Sequence, residues 1–127
     1  LHYPEHSFPT RRSSDLFADF NREHARCLAF LKEAVSSSNA RKKIVVTHHV
    51  PSFQMQCPKF ADSLANGAFT VELEDYIKDS GIDFWIYGHS HYNADVRIGN
   101  TMCISNQLGY VFHGEHESFD PCKNIEV

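Results

Sequence analysis

Two apolar segments of this chain each run directly into closely spaced histidines. Residues 43–47 lead into His48-His49, and residues 82–87 lead into Gly88-His89-Ser90-His91. Their β-branched and aromatic content favours buried strands, and the helical spacing between them predicts a β-α-β unit in an α/β domain. Because ligands bind at the carboxyl ends of parallel strands, we expect these histidines to emerge at one edge of a sheet.

The remaining pattern predicts a short series of elements. An amphipathic helix is expected over residues 17–36, and a long loop over residues 52–67. A second helix is expected over 68–79, with Gly81 as its C-cap. Its apolar positions are Phe69, Leu73, Tyr76 and Ile77. A hairpin around Gly99-Asn100 would join strands at 95–98 and 102–105, and a short strand is expected at 124–127.

Composition narrows the function classes. The chain has 127 residues, 42% of them hydrophobic, and a net charge of −4, so one packed domain is expected and non-specific binding to nucleic acid is disfavoured. No run of apolar residues is long enough to span a membrane, which takes about 18. The four cysteines form no C-x-x-C pair, which disfavours a zinc ribbon or a dense disulfide framework. We expect free thiols, as in a cytoplasmic protein.

The first residues differ in character from the rest. The run from Ser7 to Leu16 resembles one translated frame of a common sequencing adapter, and His6 before it fits as well. Residues 1–16 are therefore predicted to be a non-native leader, leaving residues 17–127 as the native part. On this interpretation the lack of a signal peptide carries no information about location.

Nine histidines are present, and the placement of a few of them predicts a metal site. Neutral imidazole is a common ligand for Zn, Fe and Mn. His89 and His91 are two positions apart, so in an extended segment they would point the same way, and Gly88 suits a sharp exit or a close backbone approach. A lone histidine is more often a surface residue. It is the convergence of His48, His89 and His91 after two strands that predicts metal ligands.

These segments resemble a known family. Val45 to Pro51 (VVTHHVP) and Tyr87 to His91 (YGHSH) are similar to the last two motifs of the calcineurin-like metallophosphoesterases, and Ser105 to Tyr110 is similar to a stretch of small bacterial members. The resemblance implies a double-sheet α/β sandwich with two divalent metal ions, either Mn, Fe or Zn. It also implies hydrolysis of phosphoric ester or anhydride bonds in a small phosphorylated substrate, by a metal-bound hydroxide.

The resemblance also implies roles for single residues. His48 and His89 would ligate one ion, and His91 would ligate the other. His49, next to a ligand, would support catalysis from beside the metals. His113 and His116 have no counterpart in the motifs and are expected to be loop or surface residues.

Other motifs of that family have no match here. The sequence contains no D-x-H, no Gly-Asp pair, and no G-N-H, since Gly99-Asn100 is followed by Thr101. We therefore expect the C-terminal portion of a metallophosphoesterase, inactive by itself and partnered by a missing N-terminal half of the same domain. The alternative is a small mononuclear module that binds one metal through His48, His89 and His91. A plain binding domain without metal is the remaining possibility.

Overall fold

A computed structural model of the chain describes residues 13–63 and 66–127. The chain divides into two compact units, and the second begins at Asn39. Residues 1–12, which hold most of the predicted leader, lie outside the described part.

The first unit contains one long helix. Helix α1 spans Ser13–Ser37, so the predicted helix is confirmed but begins four positions earlier, inside the predicted leader. Asp15 lies in the first turn, where a negative charge complements the helix dipole. In the last turn, the hydroxyl groups of Ser36 and Ser37 donate to backbone carbonyls three residues earlier.

The second unit is built on a four-stranded mixed sheet, which confirms the α/β class. The elements are β1 (Ile44–Val46), α2 (Glu74–Asp79), β2 (Phe84–Ile86), β3 (Val96–Ile98) and β4 (Thr101–Ile104). Their order in the sheet is β1-β2-β4-β3. β1 and β4 flank β2 in parallel, whereas β3 pairs antiparallel to β4. The predicted parallel β-α-β unit and the hairpin at Gly99-Asn100 are therefore both present.

Large apolar side chains hold α2 against the sheet. Trp85, at the middle of β2, has no exposed surface, and neither has Ile77 of α2. Tyr76 of α2 packs edge-on against Trp85, with ring centroids 6.5 Å apart. The indole N–H of Trp85 donates to the hydroxyl of Thr47, 2.9 Å away. Thr47 immediately precedes His48, so its bond to Trp85 connects the buried core to the start of the histidine-bearing turn.

The predicted second helix is wrong over its first half. Residues 66–68 form a 3₁₀ helix, and α2 begins only at Glu74. Between them the chain is bonded to the segment after β1, with the Val71 N–H donating to the Val50 carbonyl and the Leu73 N–H to the Pro51 carbonyl, each at 2.9 Å. Helical spacing cannot reveal such a partner, and these backbone bonds replace those of a helix. Ser80, not Gly81, is the C-cap of α2, and Gly81 follows it in the left-handed conformation, with a φ of 69°.

Two other expectations are revised. The predicted loop contains 3₁₀ helices at Phe53–Met55 and Pro58–Phe60. The predicted strand at 124–127 is wrong, because these residues adopt no regular structure. The preceding Lys123 anchors the tail instead, with its ammonium 2.7 Å from both Asp95 Oδ1 and the Ser105 carbonyl.

The cysteines offer a direct check of this packing. All four are free thiols in the structure, as expected, and Cys103 is buried whereas Cys122 is exposed. Burial raises the pKa of the Cys103 thiol to about 11, so it stays protonated and unreactive at neutral pH. We predict that iodoacetamide alkylates Cys122 in the native protein and reaches Cys103 only after unfolding in urea. Peptide mass spectrometry would show it, and rapid native alkylation of Cys103 would contradict the packing.

Candidate metal centre

The parallel pairing of β1 and β2 continues past the ends of both strands. The Thr47 N–H donates to the Ile86 carbonyl at 2.9 Å, and the Gly88 N–H donates to the His48 carbonyl at 3.1 Å. A Cβ at Gly88 would lie 3.6 Å from the His48 carbonyl oxygen, an ordinary contact, so no unusually close backbone approach explains this glycine. Because of these bonds the two histidine-bearing turns lie side by side at one edge of the sheet.

Three of the four predicted histidines meet there. Nδ1 of His89 lies 2.7 Å from Nε2 of His48. The ring of His49 packs against both, with centroids 5.2 Å from His48 and 4.7 Å from His89. At 2.7 Å, one of the two facing nitrogens carries the hydrogen that the other accepts.

The local environment favours the neutral form of His89. Desolvation by burial lowers its pKa, and the neighbouring His49, His48 and His91 lower it further. The neutral ring is the form that binds a metal, so the shift is in the direction that a ligand needs.

His91 lies apart from this group. Its Nδ1 is 2.9 Å from Oε2 of Glu115, and its ring packs edge-on against Tyr110 with centroids 4.7 Å apart. The expectation that His89 and His91 point the same way is wrong, because the segment is not extended. Both histidines have positive φ, 69° and 50°, and this left-handed backbone turns each side chain toward a different neighbour.

Positive φ at two non-glycine residues is a sign of a functional site. Each such residue costs on the order of 1–3 kcal/mol and persists only where surrounding contacts enforce it. Gln107 supplies those contacts. Its side-chain oxygen accepts from the His91 N–H at 2.8 Å, and its amide nitrogen donates to the Tyr92 carbonyl at 2.9 Å. Asn93 in turn exchanges two hydrogen bonds with the backbone of Gln107.

Glu115 is a functional candidate that the sequence did not reveal. Its Oε2 accepts from the Tyr110 N–H at 2.6 Å as well as facing His91. The Tyr110 N–H lowers the pKa of this carboxyl, and the contact with His91 acts in the same direction. Nothing in the sequence marked Glu115, although Gln107 and Tyr110 lie in the stretch that resembled the family.

A cavity opens beside His91. Its volume is about 470 Å³, within the range of small-molecule sites. Side chains of both charges line it, including Lys59, His91, Glu115 and Glu117. His113 also faces this cavity, whereas His116 is an exposed residue of the neighbouring 3₁₀ helix, so both are surface residues as expected.

The donor set fits a metal ion only in part. His48 and His89 bring two imidazole nitrogens together at hydrogen-bonding distance, and neutral imidazole nitrogens are common ligands of divalent metal ions. Within residues 13–63 and 66–127, however, no three His, Cys, Asp or Glu side chains come together to hold a metal ion. A complete centre would need donors beyond those that the described residues bring together.

The sequence profile of the calcineurin-like phosphoesterases matches residues 4–93. The chain belongs to this family. The match ends just beyond His91, so it includes both histidine-bearing turns. The matched region also includes residues 4–16 of the predicted leader. That these residues are non-native stays a prediction.

The chain is also similar to a viral protein. The calcineurin-like phosphoesterase chain is 28% identical over 116 residues to the uncharacterized protein L509 of Acanthamoeba polyphaga mimivirus. The aligned region covers 86% of this chain and 40% of that relative, so the chain spans less than half the relative's length. No solved structure matches the chain. Among the described residues, no helix is both long and apolar enough to cross a membrane.

The hydrogen bonds of Gln107 to the backbone of His91 and Tyr92 are predicted to stabilise this turn. Gln107→Ala removes the acceptor of the His91 N–H, so we expect hydrogen exchange of that amide to accelerate about 3–10-fold, in keeping with a lost hydrogen bond of about 0.5–1.5 kcal/mol. Exchange followed by NMR measures it, with Gln54→Ala at an exposed position as the control. An unchanged rate at His91 would show that Gln107 does not enforce this turn.

Proposed function

We propose that this chain carries part of the dinuclear metal site of a phosphoesterase that hydrolyses ester or anhydride bonds of a small phosphorylated substrate. The observation that carries the proposal is the 2.7 Å approach of His48 Nε2 and His89 Nδ1. It occurs at the carboxyl ends of adjacent parallel strands, where α/β proteins bind ligands. Membership of the calcineurin-like phosphoesterases supports divalent metals as the cofactor.

In this proposal His48 and His89 hold one ion and His91 holds the other. When bound, the ions would supply Lewis-acid chemistry, polarising the phosphoryl group and making water more acidic. His49 packs against both rings of the facing pair, so it restricts their orientation. The cavity beside His91 is large enough for the organic part of a small phosphate ester.

The proposal includes a division of the site between this chain and a further segment. The acidic motifs of the family are absent from the sequence, and carboxylates are what usually neutralise two closely spaced cations. We propose that an N-terminal segment with those motifs completes the centre, and that residues 1–127 alone do not turn over substrate. The mononuclear three-histidine alternative is not favoured, because among the described residues His91 does not come together with His48 and His89 in a group that could hold one ion.

Metal binding tests the ligand assignment in the chain as it stands. We predict that the chain binds one Zn²⁺ weakly, and that His48→Ala or His89→Ala reduces the affinity at least about tenfold, since even indirect partners of a ligand are worth about 10–100-fold. Isothermal titration calorimetry measures the affinity. His116→Ala, at an exposed position, is the matched control, and equal losses in all three variants would overturn the assignment.

Activity tests the division of the site. Residues 1–127 with Mn²⁺, Fe²⁺ or Zn²⁺ are predicted to release no nitrophenol from bis(4-nitrophenyl) phosphate above the metal-only rate. A version extended by an N-terminal segment that carries the acidic motifs should turn over. In that version, loss of His48, His89 or His91 should cost orders of magnitude in rate, and His49→Ala about 10–100-fold. Full activity of residues 1–127 would disprove the division.

A further inference from the structure

The contact between His91 and Glu115 has a consequence for the chemistry of the imidazole. Nδ1 of His91 and Oε2 of Glu115 are 2.9 Å apart, and the same oxygen accepts the Tyr110 N–H at 2.6 Å. A carboxylate can only accept hydrogen bonds, so the hydrogen between it and His91 has to lie on Nδ1. In a neutral ring the other nitrogen, Nε2, is then the one with an available lone pair.

We propose that Glu115 is a positioning residue that fixes His91 in the Nδ1–H tautomer, which leaves Nε2 as the donor atom for a metal ion. The inference rests on the proposed function, in which His91 is a ligand. Metal-binding histidines generally donate their second N–H to a carboxylate or carbonyl, and this partner sets both the tautomer and the ring orientation. Glu115 lies 24 residues further along the chain, so it acts from a separate segment.

The backbone around this pair leaves no room for a side chain. A Cβ added at Gly109 would lie 2.6 Å from Glu115 Cβ, 2.8 Å from Glu115 Oε2 and 3.3 Å from His91 Cβ. Gly109 also has a φ of 63°, which glycine adopts at little cost. The loop therefore passes so close to the carboxylate that only glycine fits beside it.

The contact between His91 and Glu115 differs from an ordinary surface ion pair. Exposed pairs are loosely held and contribute little. Here the side chains of His91 and Glu115 are only 35% and 30% exposed, and the carboxylate is already fixed by a backbone N–H before His91 is considered. The acceptor is thus held in place independently of the ring that it orients.

The test reads the tautomer directly. The full metal-free chain is labelled with ¹⁵N-histidine, and two-bond ¹⁵N–¹H correlations are recorded at about pH 8, where ordinary histidines are neutral. We expect wild-type His91 to show a single Nδ1–H tautomer and Glu115→Ala to show a mixture. Glu115→Gln should restore the wild-type pattern, because its side-chain oxygen can still accept both hydrogen bonds.

Two matched comparisons exclude general disruption. Gly109→Ala should displace Glu115 and give the same mixture, although neither side chain of the pair is changed. Gly81→Ala introduces a Cβ at a similar φ of 69° with nothing within 4 Å, so it should leave the tautomer intact. Glu117→Ala removes the same charge from the same 3₁₀ helix and should also leave it intact.

The outcomes distinguish this inference from the function on which it rests. A mixed or Nε2–H tautomer of His91 in the wild-type chain would overturn the positioning role, whatever the metal does. If the tautomer is fixed as expected and added Zn²⁺ shifts Nε2 of His91, both proposals are supported. If the tautomer is fixed but Zn²⁺ shifts only His48 and His89, the positioning role stands and the ligand role of His91 fails.

Discussion

The parallel register of β1 and β2 is the constraint on which the site depends. Val46 pairs with Ile86, and the bonds that follow extend the ladder to the His48 carbonyl. His48 and His89 therefore follow adjacent strands at the same edge of the sheet. This brings their imidazoles into contact although they are 41 residues apart in sequence. The buried indole of Trp85, bonded to Thr47, ties the core to this edge. The position of the facing nitrogens is thus set by backbone pairing rather than by the loops alone.

Two side chains support the turn at His91, and both come from the segment that follows β4. Gln107 fixes the backbone of His91, whereas Glu115 contacts its ring. Gly109 lies between these two residues in sequence and packs directly on the carboxylate. The loop after β4 therefore determines where His91 lies, while the strands determine where His48 and His89 lie. A dinuclear centre built on such a scaffold would have its two halves positioned by different parts of the fold.

The sequence predicted the strands, from their apolar residues, and the histidines that follow directly after them. The apolar segments before the histidines located β1 and β2, and their shared direction placed His48 near His89. It failed where a distant partner decides the local structure. Residues 69–73 follow helical spacing but pair with the segment after β1. His89 and His91 were expected in an extended segment, yet both adopt positive φ, and the side chain that accepts the His91 N–H belongs to Gln107, 16 residues further along the chain. Glu115 could not be predicted, since its role arises only from a contact across the fold.

The left-handed backbone at His89 and His91 also shapes how this protein would respond to selection. Glycine relieves the strain of such a conformation, and each histidine there lowers stability to keep its side chain. Selection for thermal stability alone would therefore favour glycine at both positions and remove the imidazoles with it. Stability alone therefore gives no reason for histidine at these two positions, whereas the contacts that their imidazoles make with His48 and Glu115 do.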